Sequence, residues 1–154
     1  MTAVASKDRL RLWLRLLKLT RAVDGTLRDR FRHEFDTTLP RFDMLAALSQ
    51  HEGGLKMSRL SNVLRVSNGN VTGIADRLAD DGMVERIPMP GDRRAMLLRL
   101  TTAGHREFAR QAVAHEEWID EMLGGISGQE ARALAQKLQH FADKQDQLEK
   151  THAQ

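Results

Sequence analysis

The central stretch of the chain, residues 57–102, constrains the fold most because its hydrophobic period changes at Gly82. Before Gly82, apolar residues recur at helical spacing in two short runs that are separated by a break at Ser67. After Gly82, the apolar runs 83–87 and 95–100 flank a polar, proline-containing turn, as in a β-hairpin. The order helix, tight turn, helix and hairpin is typical of a winged helix-turn-helix domain.

Long helices are predicted on both sides of this stretch. Residues 7–35 lack proline and carry apolar side chains at two helical phases, so this helix must bury more than one face. A second subunit can cover such a surface, whereas a small monomer rarely can. A further helix is expected after the Thr38 cap, and two more are expected from about Thr102 and from the capping box of Ser127 and Glu130. The predicted fold is mainly α with a small β-hairpin wing, a winged helix-turn-helix flanked by long N- and C-terminal helices.

Composition narrows the classes of function. The 154-residue chain is about one domain long, and its lack of cysteine excludes disulfides, thiolate nucleophiles and metal sites that need sulfur. Neither a long apolar run nor a signal peptide is evident, so a cytoplasmic location is expected. The formal net charge is +3, with a basic middle and an acidic tail, which fits a polyanionic partner but also fits ordinary solvated helix faces.

The second helix of the central pair carries a polar side that its core does not explain. With Val71, Ile74 and Leu78 facing inward, the other positions are polar residues or glycines, which can contact bases and phosphates or let the backbone approach DNA. Arginines at the hairpin tip can reach an adjacent minor groove. Alternatively, Asn68 and Gly69 form a loose cap and Gly73 only permits helix packing. The predicted DNA-contacting residues are Lys56, Arg65, Ser67, Asn68, Gly69, Asn70, Thr72, Gly73, Arg77, Arg93 and Arg94.

From Ser58 to Gly104 the sequence resembles the MarR-type regulators, and the flanking helices extend the resemblance over nearly the whole chain. The matching residues are Leu60, Val71-Thr72, Arg77-Leu78, Gly82, Val84, Arg86, Asp92-Arg93-Arg94, Leu100-Thr101 and Gly104. The resemblance implies a single domain over 1–154, in which segments 7–36 and 102–150 form an obligate two-fold dimer and 38–101 form the DNA-binding lobe. It also implies that Asp92 orients the wing arginines and that Arg93 is the main minor-groove contact. Ala79-Asp80 departs from the family, which commonly has an acidic residue directly after the leucine.

Segments 34–43 and 69–74 are similar to a subgroup of this family that controls the degradation of aromatic acids. Members of that subgroup respond to aromatic acyl-CoA thioesters such as hydroxycinnamoyl-CoA, which implies a repressor released from a pseudo-palindromic operator by a small aromatic ligand. Cationic candidates for CoA phosphates or a carboxylate are Arg28, Arg30, Arg32, His33 and Arg41. Aromatic candidates for the pocket walls are Trp13, Phe35, Phe42 and Trp118. The alternative is that these rings are core and the arginines are solvated.

Other classes of protein fit less well. His115-Glu116-Glu117 lacks the second histidine of a zinc-protease helix, and there is no glycine-rich phosphate loop, so no enzyme and no cofactor are expected. A metal-responsive regulator is the first alternative, with His33, His51, His105 and His115 as ligands. An architectural DNA-binding protein without an effector is the second, although such proteins usually carry more positive charge than +3.

Overall fold

The computed structural model describes residues 3–64 and 66–152, excepting the side chains of Ala3, Asn68, Arg93 and His152. The predicted contact Arg65, like the side chains of Asn68 and Arg93, lies outside the described residues. The elements in chain order are α1 (Ala3–Phe35), α2 (Leu39–Ser49), β1 (Leu55–Lys56), α3 (Met57–Leu64), α4 (Asn68–Asp80), β2 (Val84–Met89), β3 (Asp92–Leu100), α5 (Thr102–Leu123) and α6 (Gly128–His152). This order confirms the predicted winged-helix fold: the chain is mainly helical and contains one small sheet.

The ends of the helices follow from local side-chain chemistry. Thr38 and Ser67 are the N-caps of α2 and α4, because their hydroxyl groups accept hydrogen bonds from the backbone N–H of the residue three positions later. Helix α4 ends where Gly82, with φ 74°, lets the N–H of Met83 reach the carbonyl of Leu78 at 2.9 Å. Helix α1 ends at Asp36, a non-glycine residue with φ 49°, after which the N–H of Thr37 donates to the carbonyl of Phe31 at 3.3 Å.

The three strands form an antiparallel sheet in the order β1-β3-β2, in which β1 precedes the helix pair α3–α4 and β2 and β3 follow it. Strand β1 is absent from the sequence prediction, because two residues are too few to show an alternating period. Leu55 in β1 pairs with Leu98 in β3. The wing strands are longer than the apolar runs 83–87 and 95–100: β2 continues to Met89, and β3 begins at Asp92. The sequence did not indicate these extensions because backbone pairing does not require apolar side chains.

One hydrophobic core joins α2, α3, α4 and the sheet. Its buried residues are Met44, Leu45, Leu48, Leu55, Leu60, Val71, Ala75, Leu78, Val84, Leu98 and Leu100. Of the α4 residues predicted to face inward, Val71 and Leu78 are buried and Ile74 is half-buried, and Ala75 is buried with them. In α3 Leu60 is buried, whereas Val63 is 52% exposed. The buried stripe leaves the other side of α4 available to a partner.

The described residues fall into two compact units, one up to Trp118 and the other from Ile119 onward. The second unit contains the end of α5 and all of α6. At its turn the capping box is confirmed, since the Ser127 N–H donates to the Glu130 carboxylate at 2.9 Å and the Glu130 N–H donates to the Ser127 hydroxyl at 3.2 Å. Within residues 3–64 and 66–152, no helix is long and apolar enough to cross a membrane.

Candidate nucleic-acid interface

Helix α4 presents its polar side to solvent. Ser67, Asn70, Thr72 and Arg77 are exposed, and so are the backbone segments at Gly69 and Gly73. A methyl group added to either glycine would meet no described atom within 4 Å. Neither glycine is therefore required by packing within the described chain. Each costs roughly 0.5–1 kcal/mol relative to alanine in a helix, a cost that close approach of DNA would offset.

The wing is a tight hairpin whose tip is Pro90-Gly91. The Asp92 carboxylate accepts a hydrogen bond from the backbone N–H of Arg94 at 3.0 Å, which stabilises the turn directly below the tip. Arg94 is exposed, whereas the side chain of Arg93 lies outside the described set. The Asp92 carboxylate thus contacts the backbone at Arg94, and its predicted role in orienting the wing arginines stays a prediction.

An ion pair links the wing to α4. Arg86 of β2 contacts the Asp76 carboxylate of α4 through Nη2. On the same sheet, Arg99 of β3 donates through Nε to Glu85 of β2 at 2.6 Å. These exposed pairs add side-chain contacts between the wing strands, which are joined by backbone pairing, and between the wing and the helix. The Asp76–Arg86 pair could not be predicted from the sequence, because residues ten positions apart in different elements leave no periodic signal.

The junction between the wing and α5 is closed by three hydrogen bonds. Thr101 donates through its hydroxyl to the carbonyl of Gly82 at 2.6 Å, and through its N–H to the carbonyl of Met83 at 3.0 Å. The Gly104 N–H donates to the Thr101 hydroxyl at 3.0 Å. A Cβ at Gly104 would lie 1.9 Å from the Met83 carbonyl oxygen, so only glycine fits there. Gly104 is therefore a packing residue at the base of the wing.

Two adjacent clefts open between the C-terminal half of α1, the α1–α2 turn and α4. The first has a volume of about 390 Å³ and the second about 470 Å³. Four residues line both clefts: Arg28, Thr38, Arg41 and Arg77. We call the joined space the arginine cleft. Arg32 and Asp36 line its first part, whereas Gly69, Asn70 and Gly73 line its second part.

Aromatic rings pack together next to α1, α2 and α5. Phe31 lies at the centre, with its ring centroid 4.6 Å from Phe42 and 5.0 Å from Trp118. The ring of His115 lies 4.8 Å from that of Phe42, and burial lowers the pKa of this imidazole. These rings, together with Phe35 and Phe108, form what we call the aromatic cluster.

The structure separates the residues that the sequence suggested for the ligand. Three of the arginines line the arginine cleft: Arg28, Arg32 and Arg41. Phe35, Phe42 and Trp118 belong to the aromatic cluster, where the Arg30 guanidinium lies 5.7 Å from the Trp118 ring. Trp13 and His33 are exposed on α1 and line neither cleft.

The remaining candidates are placed as follows. Lys56 is exposed in β1, where it pairs with Leu97 of β3. His33, His51, His105 and His115 were the alternative metal ligands, yet in the described part of the chain no three histidine, aspartate or glutamate side chains are grouped to hold a metal ion. The proximity of Arg77 to Arg28 and Arg41 was not foreseen, because the sequence treats them as residues of distant helices.

Comparison with known proteins agrees with this geometry. Residues 37–96 match the family model described as MarR family. A 121-residue stretch is 28% identical to the HTH-type transcriptional regulator PecS of Dickeya dadantii, covering 77% of this chain and 72% of PecS. The matched part spans less than two thirds of several other curated relatives.

Solved structures extend the match to almost the whole chain. A MarR family transcriptional regulator from Silicibacter pomeroyi is 31% identical, with a TM-score of 0.75 over 94% of this chain and 99% of that one. A mutant MarR from E. coli complexed with operator DNA is 25% identical, with a TM-score of 0.72 over 87% of this chain and 95% of that one. With its exposed α4, its wing and these similarities, the chain belongs to the MarR family of winged helix-turn-helix DNA-binding transcription regulators.

Proposed function

We propose that the protein is a homodimeric repressor that binds a pseudo-palindromic operator and is released by a small aromatic ligand. The observation that carries the DNA-binding part is the exposed polar side of α4, where Asn70, Thr72 and Arg77 are open to solvent. The wing that carries Arg94 contacts the same helix through its other strand, in the Asp76–Arg86 pair. In this arrangement α4 enters the major groove and the wing tip reaches the adjacent minor groove.

Exposed apolar side chains support the dimer. On α1, Leu10, Leu12, Trp13, Leu14 and Leu19 are 50–58% exposed. On α6, Leu134, Leu138, Phe141 and Leu148 are 46–57% exposed and recur at the spacing of one helix face. Monomeric soluble proteins rarely leave so many large apolar side chains in water. A two-fold dimer that covers them presents two α4 helices to half-sites about one helical turn apart.

The wing assignment predicts that Arg94→Ala weakens operator binding about tenfold to a hundredfold, because loss of a guanidinium contact on each protomer costs roughly 1–3 kcal/mol. Affinity is measured by fluorescence anisotropy at fixed salt, with an operator selected from a random duplex library. The matched control is Arg132→Ala, which removes the same charge from an exposed position on α6.

Two outcomes would contradict the DNA-binding proposal. One is an Arg94→Ala protein that binds the selected duplex as tightly as the native chain does. The other is equal affinity of the native chain for selected and random duplexes, which would favour an architectural binder instead. A circular dichroism spectrum equal to that of the native protein establishes that the variant is folded.

The ligand part of the proposal rests on the chemistry of the arginine cleft and on its neighbourhood. Arg28, Arg32 and Arg41 supply guanidinium groups suited to phosphates or a carboxylate, and both parts of the cleft are within the volume range of small-molecule sites, ~300–1,000 Å³. The cationic lining favours an anionic effector. The aromatic part of the proposal, an aromatic acyl-CoA thioester or the parent acid, rests on the sequence resemblance, because Phe31 and Trp118 are buried and line neither part of the cleft.

Isothermal titration of the free protein with hydroxycinnamoyl-CoA, hydroxycinnamic acid and CoA is expected to show binding of the thioester in the micromolar range, with the acid and CoA each weaker by about tenfold or more. The reason is that each fragment keeps only part of the contacts. Addition of the thioester is expected to release the operator. If none of the three compounds gives a binding isotherm, the effector class is wrong.

A further inference from the structure

The turn between α3 and α4 is closed by two hydrogen bonds that join the same two residues. The Val66 N–H donates to the carbonyl of Ser61 at 3.2 Å, and the Ser61 hydroxyl donates to the carbonyl of Val66 at 2.6 Å. The first bond reaches back five positions along the backbone, as at the end of many helices. The second bond depends on the serine side chain. Both backbone polar groups of Val66 therefore have Ser61 as their partner.

These two bonds restrict the direction in which the chain enters α4. The N–H and the carbonyl of Val66 lie on either side of its Cα, so the two bonds limit the rotation of both adjacent peptide groups. The Val66 side chain adds to this restraint, because it is half-buried against the hydrophobic core. Ser61 is half-buried as well, so its hydroxyl has less access to water as an alternative partner.

The residue that follows Val66 is the N-cap of α4. Ser67 accepts a hydrogen bond from the Asn70 N–H through its hydroxyl at 3.3 Å, and another from the Val71 N–H through its carbonyl at 3.0 Å. Asn70 is exposed on the polar side of α4, whereas Val71 is buried in the core. A series of short-range bonds thus leads from Ser61 to the first turn of the helix that is proposed to enter the major groove.

We propose that Ser61 is a positioning residue for operator recognition, which places the N-terminus of α4 through Val66 and Ser67. This inference rests on the proposed DNA-binding function and adds a residue that acts through its neighbours. Hydrogen bonds to base edges need side chains such as Asn70 to be held within a fraction of an ångström, whereas attraction to phosphates acts over longer distances and tolerates small shifts. Loss of the Ser61 hydroxyl is therefore expected to weaken specific binding more than non-specific binding.

The binding test compares the affinity of Ser61→Ala for the selected operator with its affinity for a random duplex of equal length. The affinity for the operator is expected to fall about tenfold, the size expected for one lost hydrogen bond. The affinity for the random duplex is expected to stay within about twofold of the native value. The ratio of the two affinities is the deciding quantity, because a smaller folded fraction lowers both affinities equally and leaves their ratio unchanged.

Ser49→Ala is the matched control. The Ser49 hydroxyl also donates to a backbone carbonyl, that of Ala46, at 2.6 Å, and its side chain is also half-buried. This bond lies within α2, so its loss is expected to lower the melting temperature by a few degrees, as Ser61→Ala does, and to leave the affinity ratio unchanged. Ser61→Thr, which retains the hydroxyl, is expected to keep the ratio within about threefold of the native value.

Amide hydrogen exchange followed by NMR tests the same inference without DNA. The Asn70 and Val71 amides, which donate to Ser67, are expected to exchange about fivefold to tenfold faster in Ser61→Ala, because local opening of the first turn of α4 becomes easier. The amide of Leu78, in the last part of the same helix, is expected to exchange at the native rate. Native exchange rates at Asn70 and Val71 in Ser61→Ala would show that the hydroxyl does not stabilise the start of α4.

Different outcomes would overturn the positioning role and the proposed function. A native affinity ratio in Ser61→Ala, whether both affinities are unchanged or both fall equally, would overturn the positioning role, while operator recognition would still stand. A folded Ser61→Thr protein with the ratio of Ser61→Ala would also overturn it. Equal affinity of the native chain for the selected and random duplexes would overturn the proposed function itself.

Discussion

Replacing Gly104 with alanine is expected to lower the free energy of unfolding of the DNA-binding unit by about 3–5 kcal/mol, a large share of the ~5–15 kcal/mol typical of a domain. The added Cβ would lie 1.9 Å from the Met83 carbonyl oxygen and 2.9 Å from its carbonyl carbon. Backbone cannot rotate out of the way as a side chain can, so the start of α5 must move. That movement would break the Gly104–Thr101 hydrogen bond and with it the Thr101 link to Gly82.

Urea denaturation followed by circular dichroism measures this effect. The matched control is Gly25→Ala, also in a helix, where a Cβ would meet no described atom within 4 Å. Gly25→Ala is expected to change the free energy of unfolding by less than about 1 kcal/mol or to increase it slightly, as replacement of glycine in a helix usually does. Equal midpoints for the native and Gly104→Ala proteins would show that the close packing at Met83 does not occur in solution.

Replacing Phe141 with glutamate is expected to raise the dimer dissociation constant by a factor of about one hundred or more, because two-fold symmetry places the buried charge in the interface twice. Phe141 is 57% exposed in the single chain and lies on the α6 stripe with Leu138. A large aromatic side chain at the centre of an interface commonly contributes more than about 2 kcal/mol, and a carboxylate there must also lose its hydration.

Sedimentation equilibrium measures the mass directly: the native chain is expected at twice 17.4 kDa, and Phe141→Glu is expected to dissociate towards 17.4 kDa at micromolar concentration. The control is Gln136→Glu, which adds the same charge on the polar side of α6, about half a turn from the stripe. A native chain that sediments as a monomer would contradict the dimer proposal and leave the apolar side chains of α1 and α6 unexplained.

Much of the fold could be predicted because its causes are local. Thr38, Ser67 and the Ser127–Glu130 box mark helix starts through bonds that span only three residues. The change of hydrophobic period at Gly82 places the hairpin after α4. Strand β1 could not be predicted, since its two residues are held by pairing with β3, some forty positions further along the chain.

The candidate sites were predictable only in part. Residue types indicated which side chains suit DNA or an anion, and the exposure of Asn70, Thr72 and Arg94 agrees with that use. Their DNA contacts remain predictions. The separation of the ligand candidates could not be foreseen, because aromatic residues such as Phe42 and Trp118 have the same helical spacing whether they pack against each other or line a pocket.

Short-range features of the sequence, namely its caps, its periodicity and the positions of its glycines, determined the helices, the hairpin and the polar side of α4. Packing of distant segments decided the rest: the union of Arg41 and Arg77 in one cleft, the Asp76–Arg86 pair and the absence of room at Gly104. The physical reason is the distance along the chain over which each interaction acts. Hydrogen bonds within a turn depend on neighbouring residues, whereas a cleft or a close backbone approach depends on how helices and strands from different parts of the chain pack together.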